Sequence, residues 1–194
     1  MFDPNITTKI ITLYPNPQQE GILYDHCRVL QILYNNLAEL QKDQMRKCGS
    51  YFGLHDLYRI ANQWKEQDRC LCNLYDKSVH SVVRDLLSST FMSPINPNEF
   101  GCFYHIELPV SSITLNYNQF ITRRYGVIAT NQIQPFCGSI IAARIFRQKD
   151  GWVLYLKILV APSVPTCNYP FLESDFTSDY DNLISHGDYQ STLA

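Results

Sequence analysis

Five basic residues in the second half of the chain are the side chains best suited to bind phosphate. They are Arg123, Arg124, Arg144, Arg147 and Lys149. Guanidinium groups pair with phosphate through two hydrogen bonds and stack on nucleobases, and Tyr125 and Tyr117 offer further stacking surfaces. If neighbouring strands place these side chains on one face, they predict a nucleic-acid contact. The alternative is an ordinary solvated sheet face.

The charge of the chain is unevenly distributed. Residues 1–99 carry a net charge of −1, residues 100–161 carry +4, and residues 162–194 carry −5 without a single basic side chain. Attraction for nucleic acid is therefore expected from the middle of the chain, whereas the acidic tail should repel phosphate.

Other reactive residues do not form a recognisable catalytic motif. His105-Ile106-Glu107 matches the His-x-Glu of zinc deaminases, but Cys137 lacks the second cysteine that such a zinc site requires. The seven cysteines are odd in number and never spaced Cys-x-x-Cys, which predicts reduced thiols and no bound metal or other cofactor. Asp175, Asp179 and Asp181 lack flanking glycines and predict a solvated, flexible tail. We assign no catalytic residue.

The first half of the chain predicts one strand followed by helices. Residues 7–13 are rich in β-branched side chains. Asn16, Pro17 and Gln19 then form a helix start signal with a capping box. An apolar stripe at three- and four-residue spacing predicts a long helix over residues 17–47, and similar patterns predict helices over residues 54–64, 67–75 and 78–91.

After Phe100 the apolar period changes to that of strands. Up to six short strands follow, over residues 102–108, 113–117, 120–122, 125–130, 139–147 and 152–161. We therefore predict an α+β fold, a small antiparallel β-barrel with a helical bundle inserted between its first and second strands. The predicted parts are the first barrel strand (residues 1–15), the helical insert (16–92), the remainder of the barrel (100–161) and the acidic flexible tail (162–194).

Several short motifs resemble TnpB, the transposon-encoded RNA-guided nuclease related to type V CRISPR effectors. Residues 13–19, Leu-Tyr-Pro-Asn-Pro-Gln-Gln, are similar to its opening Leu-Tyr-Pro-Thr-x-x-Gln signature, and residues 33–37 resemble its helix with a Tyr-Asn pair. The resemblance covers about residues 7–161. It departs from the family in its pI of about 6.2, in the uncharged segment 93–98, and in lacking the RuvC-like nuclease domain expected after Ala161.

The resemblance implies a recognition and wedge region that binds structured guide-type RNA, DNA or an RNA-DNA duplex. It adds Arg28, Arg46 and Lys47 of the long helix as candidate contacts, although acidic neighbours on that helix offset their charge. We expect a non-catalytic protein, or one half of a split nuclease with a separate RuvC-bearing chain. The alternative is a repurposed protein-interaction or regulatory module. With no membrane segment or signal peptide predicted, a cytoplasmic location is expected, nucleoid-associated if the source is bacterial.

Overall fold

The strand that opens the chain lies in the middle of the sheet. A computed structural model describes residues 5–88, 105–131, 133 and 135–160. Its strands, with a 3-10 turn at Val110–Ser112, are β1 (Ile6–Tyr14), β2 (Ile106–Leu108), β3 (Ile113–Asn116), β4 (Gln119–Thr122), β5 (Gly126–Thr130), β6 (Ser139–Gln148) and β7 (Gly151–Leu159). β1 pairs antiparallel with β7 along its length and with β5 at its end. The prediction that the first strand joins the later ones in a single sheet is confirmed.

The seven strands form an antiparallel sheet in the order β2-β6-β7-β1-β5-β4-β3. The described strands make no hydrogen-bonded pair between the edges β2 and β3, so the sheet is open there. Only residues 109–112 join these two edges, which limits the distance from Leu108 to Ile113 to about 18 Å. A flat sheet of seven strands would be roughly 29 Å wide. The sheet must therefore curl, bringing its edges towards each other.

The long helix α1 (Pro17–Cys48) begins and ends where its sequence signals predict. The side chain of Asn16 accepts a hydrogen bond from the backbone of Gln19, and the side chain of Gln19 accepts one from the backbone of Asn16. Gly49 ends the helix in the left-handed conformation, with φ of 69°. One face, which includes Leu23, Leu30 and Leu37, is fully buried.

Three shorter helices follow, α2 (Leu54–Gln67), α3 (Arg69–Cys72) and α4 (Asp76–Ser88). The third helix was predicted over residues 67–75 but is shorter, because the carboxylate of Asp68 accepts the backbone N–H groups of Cys70 and Leu71 and starts a new turn. The predicted end of the fourth helix, the segment 93–98 and the tail 162–194 lie outside the described residues.

One hydrophobic cluster runs through both helices and sheet. It includes Leu30 of α1, Val82 of α4 and Leu154 of β7, all completely buried. Burial of each such side chain contributes about 1.5–3 kcal/mol to folding. α4 also bonds to the sheet directly, since the hydroxyl of Ser78 donates to the backbone carbonyl of Glu107 at 2.7 Å. Within the described residues, no helix is long and apolar enough to cross a bilayer.

Candidate nucleic-acid interface

A cleft of about 790 Å³ lies beside α1, where the helix meets the turn between β4 and β5. We call it the α1 cleft; its lining includes Ile22, Asp25, Arg28, Cys70, Asn73 and Arg124. Arg28 comes from the long helix and Arg124 from the turn at residues 123–125. The fold thus brings together one predicted contact from the helical part of the chain and one from the sheet part.

The guanidinium of Arg124 lies over the ring of Tyr75, with Cζ 4.5 Å from the ring centroid. This cation–π contact fixes one face of the guanidinium while the residue as a whole stays exposed. Arg123, the neighbouring residue in the same turn, is also exposed. This turn therefore presents two positive charges beside the α1 cleft.

Tyr125 does not offer the stacking surface that was expected of it. The residue is only 3% exposed, and its hydroxyl lies 2.8 Å from Nδ1 of His26 in the core. Its backbone N–H donates to the hydroxyl of Thr122 at 2.9 Å. The ring belongs to the packing between α1 and the turn, so any role in binding must be indirect.

The imidazole of His26 lies in the wall of the α1 cleft, next to these groups. The pKa of His26 is lowered to about 4, mainly by burial and also by the positive charge of Arg124, while the charge of Asp25 opposes the shift. Burial likewise raises the pKa of the Tyr125 hydroxyl. Both groups are therefore neutral at pH 7, and the positive charge of the cleft comes from arginine.

Arg144 lies elsewhere, in a cluster of charges between β2, β6 and α4. Its Nη2 is 3.3 Å from Oε2 of Glu107, and Nη2 of Arg84 is 3.1 Å from the same oxygen. Nζ of Lys77 is 3.7 Å from the other carboxylate oxygen. The carboxylate is only 5% exposed. Arg144 therefore neutralises a buried carboxylate rather than extending the surface at Arg124.

Arg147 occupies the opposite face of β6 from Arg144. Arg147 pairs with Trp152 and Arg144 with Tyr155, so the two arginines are three residues apart on a regular strand and point to opposite sides. The guanidinium of Arg147 lies 5.5 Å from the Trp152 ring and 3.7 Å from Oε1 of Glu20. The expectation that the five basic residues share one sheet face is wrong for this pair.

Lys149 is exposed in the turn between β6 and β7. The first turn of α1 contacts β6, β7 and the β4–β5 turn. Glu20 accepts a hydrogen bond from the indole of Trp152 and pairs with Arg147, and the side chain of Gln19 donates to the backbone carbonyl of Tyr125. Arg147 and the turn that carries Arg123 and Arg124 therefore both contact the first turn of α1.

Arg46 and Lys47 are exposed in the last turn of α1. Nη1 of Arg46 is 3.2 Å from Oδ1 of Asp43, an exposed ion pair within the helix. At 1.5 Å per residue, Arg46 lies roughly 27 Å along α1 from Arg28. The structure thus separates these two residues from the α1 cleft.

Two features of this region were not predicted. Gln19 was identified as a capping residue, but its contacts with the turn depend on the folded sheet and leave no local signal. Lys77 and Arg84 are seven residues apart, which is two turns of α4, so their shared face was readable from the sequence. Their common partner, Glu107 of β2, could not be read from the sequence. Among the described residues, no three His, Cys, Asp or Glu side chains are grouped to hold a metal ion.

No protein-family model matches the chain, and no curated protein matches it either.

Proposed function

We propose that the chain is a non-catalytic nucleic-acid-binding module resembling the recognition and wedge half of a TnpB-type nuclease. The single observation that carries this proposal is that Arg28 and Arg124 line the same cleft. One belongs to the helices inserted after the first strand and the other to the sheet formed after them. Two guanidinium groups that line one cleft can each pair with phosphate oxygens of a bound strand.

The α1 cleft has chemistry suited to a nucleic-acid backbone. Its arginines are charged at any physiological pH, whereas the imidazole within it is neutral. Asp25 is the acidic residue among its lining side chains and lowers the local field without cancelling it. Arg123, the residue before Arg124, is exposed in the same turn and is not among the lining residues. Affinity should therefore depend strongly on salt.

The topology supports the wedge-like part of the proposal. A barrel whose first strand is separated from the others by a helical insert requires long-range pairing of β1, and β1 pairs with both β5 and β7. The curl required by residues 109–112 keeps Leu108 and Ile113 within about 18 Å of each other, which is compatible with a wedge-like barrel although the described strands β2 and β3 do not pair. We propose that the expected ligands are structured guide-type RNA, DNA or their hybrid duplex. A separate RuvC-bearing chain would supply any cleavage.

The test combines binding with cleavage. Purified protein is mixed with labelled structured RNA and with an RNA-DNA duplex, at low and high salt, with and without Mg²⁺. We expect a band shift that salt reverses and no cleavage. Binding absent at all salt concentrations would contradict the proposed function. Mg²⁺-dependent cleavage that survives repurification would contradict its non-catalytic part.

A second candidate function is recognition of a protein partner, which one surface favours. A groove of about 780 Å³ between α1, α2 and α3 has a largely apolar lining that includes Val29, Ile32, Trp64 and Leu71. Ile32 is 48% exposed despite its apolar side chain, and it lines the α1 cleft as well as the groove. The charged residues Asp68 and Arg69 both line the groove and offset each other. The occupant that fits is an amphipathic helix with an apolar stripe.

The two candidates are distinguished by a substitution in the groove. Trp64 lines the groove but not the α1 cleft. Trp64→Gln should weaken binding of such a helical partner and leave RNA affinity unchanged if nucleic acid is the ligand of the α1 cleft. A chain that binds no RNA but captures an amphipathic helical peptide in a Trp64-dependent way would favour the second candidate.

A further inference from the structure

The side-chain amide of Gln19 joins the start of α1 to the turn that carries Arg124. Its Nε2 donates to the backbone carbonyl of Tyr125 at 2.9 Å and to that of Val127 at 2.8 Å. Its Oε1 accepts the backbone N–H of Asn16 at 3.0 Å. The amide nitrogen of Gln19 thus donates to two carbonyls at the turn, and the amide oxygen completes the N-terminal cap of α1.

The two carbonyls held by Gln19 flank a left-handed residue. Gly126 lies between them with φ of 70°, a conformation that side-chain-bearing residues rarely adopt. The amide therefore holds the backbone carbonyls on both sides of Gly126, shortly after Arg124.

A second contact holds the same turn from the same helix. The Tyr125 hydroxyl lies 2.8 Å from Nδ1 of His26, and this pair is buried. His26 follows Gln19 by seven residues, two helical turns, so both side chains project from nearly the same face of α1. The helix thus holds the turn at two points. The side chain of Gln19 bonds to backbone carbonyls of the turn, and the side chain of His26 bonds to the hydroxyl of Tyr125.

We propose that Gln19 and Tyr125 are positioning residues for Arg124. Neither has to touch the ligand; together they hold the turn so that the guanidinium stays over Tyr75 and lines the α1 cleft beside Arg28. The consequence for nucleic-acid affinity rests on the proposed function. The positioning itself does not, and it can be measured in the free protein.

The matched pair of substitutions is Gln19→Glu and Gln18→Glu. Both substitutions add one negative charge to the first turn of α1. A difference between the two variants therefore cannot come from the added charge in general. Glutamate at position 19 still accepts the Asn16 N–H and preserves the capping box. It cannot donate, and it places a carboxylate against two carbonyl oxygens. Gln18 is exposed in the same turn.

The first readout is the proton chemical shifts of the Arg124 side chain. The Tyr75 ring, 4.5 Å from Cζ of Arg124, shifts these resonances upfield as long as the guanidinium remains over it. Gln18→Glu should preserve the upfield shift, and Gln19→Glu should reduce it by half or more. Preservation of the shift in both variants would overturn the proposal.

The second readout is affinity for structured RNA over a salt series. Relative to Gln18→Glu, Gln19→Glu should lose about 3- to 10-fold in affinity, because an unheld arginine must be ordered on binding. Tyr125→Phe, which changes no charge, should lose a similar factor. Both losses should vanish in an Arg124→Ala background, since they act through that residue. Losses of full size in that background would contradict positioning.

The two proposals can fail separately. If the Arg124 resonances move in Gln19→Glu but no variant, including Arg124→Ala, changes RNA binding, positioning is supported and the proposed function is not. Should Gln19→Glu fail to fold, Tyr125→Phe provides both readouts, and unchanged Arg124 resonances in that variant would overturn the proposal.

Discussion

Nη2 of Arg144 lies 3.3 Å from Oε2 of Glu107, so an arginine expected to bind a ligand instead pairs with a carboxylate that is almost completely buried. The same carboxylate is 3.1 Å from Arg84 and 3.7 Å from Lys77. These contacts tie α4 to β2 and β6. The buried carboxylate of Glu107 is the shared partner of three cations. Its removal would leave all three without this counter-charge, so we expect it to contribute to the stability of the fold.

Glu107→Gln should destabilise the fold by about 2–4 kcal/mol, since it leaves three positive charges facing one another without their common partner. Urea unfolding followed by circular dichroism measures the loss. The control is Glu39→Gln, which removes an exposed carboxylate paired with Lys42 within α1, and it should leave the midpoint nearly unchanged. Equal midpoints for the two variants would show that the Glu107 cluster contributes no net stability.

The fold should lose stability as the pH falls from 7 to 5. Burial lowers the pKa of His26 to about 4 and also lowers the pKa of His105, on which the charge of Arg144 acts in the same direction. In the unfolded chain both imidazoles titrate near 6.5. The unfolded state therefore binds more protons over this range, and stability present above pH 6.5 is lost on acidification.

Urea midpoints at pH 7, 6 and 5 provide the measurement. His26→Gln should reduce the dependence on pH and leave the part that belongs to His105. A midpoint that stays constant or rises towards pH 5 would mean that neither imidazole is held neutral by the fold.

Cys27 should be inert towards alkylation in the folded protein. Its side chain is completely buried in α1, and burial raises the pKa of the thiol to about 12, which removes the reactive thiolate. Cys48, Cys70, Cys72 and Cys137 are exposed. Brief treatment with iodoacetamide and peptide mass mapping should find these four modified and Cys27 unmodified until urea is added. Equal labelling of Cys27 and Cys48 without urea would contradict the packing of α1.

Deleting residues 162–194 should strengthen nucleic-acid binding. The deletion removes five acidic residues and no basic ones, which changes the formal net charge from −2 to +3. The control is the full-length chain with those five residues replaced by Asn or Gln, which should bind as tightly as the shortened chain. If the shortened chain binds tightly and the neutralised chain does not, the tail acts by something other than charge.

Local sequence signals predicted the elements of this fold more accurately than its surfaces. Asn16, Pro17 and Gln19 predicted the start of α1 because capping depends only on neighbouring residues. Alternation of apolar residues predicted most of the strands. The order of one strand, several helices and further strands predicted the long-range pairing of β1. The predicted closure of the sheet into a barrel is not seen among the described strands, because β2 and β3 do not pair. Closure depends on the pairing of these edges, which no local sequence pattern encodes.

The site was only partly predictable for a related reason. Arg124 and Arg28 were both identified as candidate contacts, but the sequence did not indicate that they share a cleft. Arg144 was misread because its partner, Glu107, comes from another strand. Tyr125 was misread because an aromatic residue beside arginines has the same local pattern whether its ring faces solvent or packs against α1.

The most direct test of the central claim compares two pairs of basic residues in RNA binding. Arg28→Ala/Arg124→Ala removes two positive charges from the α1 cleft, and Arg46→Ala/Lys47→Ala removes two from the far end of the same helix. Filter binding of structured RNA is measured across a salt series. The cleft variant should lose about 1–3 kcal/mol of binding free energy per contact and show a shallower salt dependence by about two phosphate contacts. The control should lose much less. Equal losses in both variants, or no salt-dependent binding by the unmodified protein, would contradict the assignment of the α1 cleft as a nucleic-acid interface.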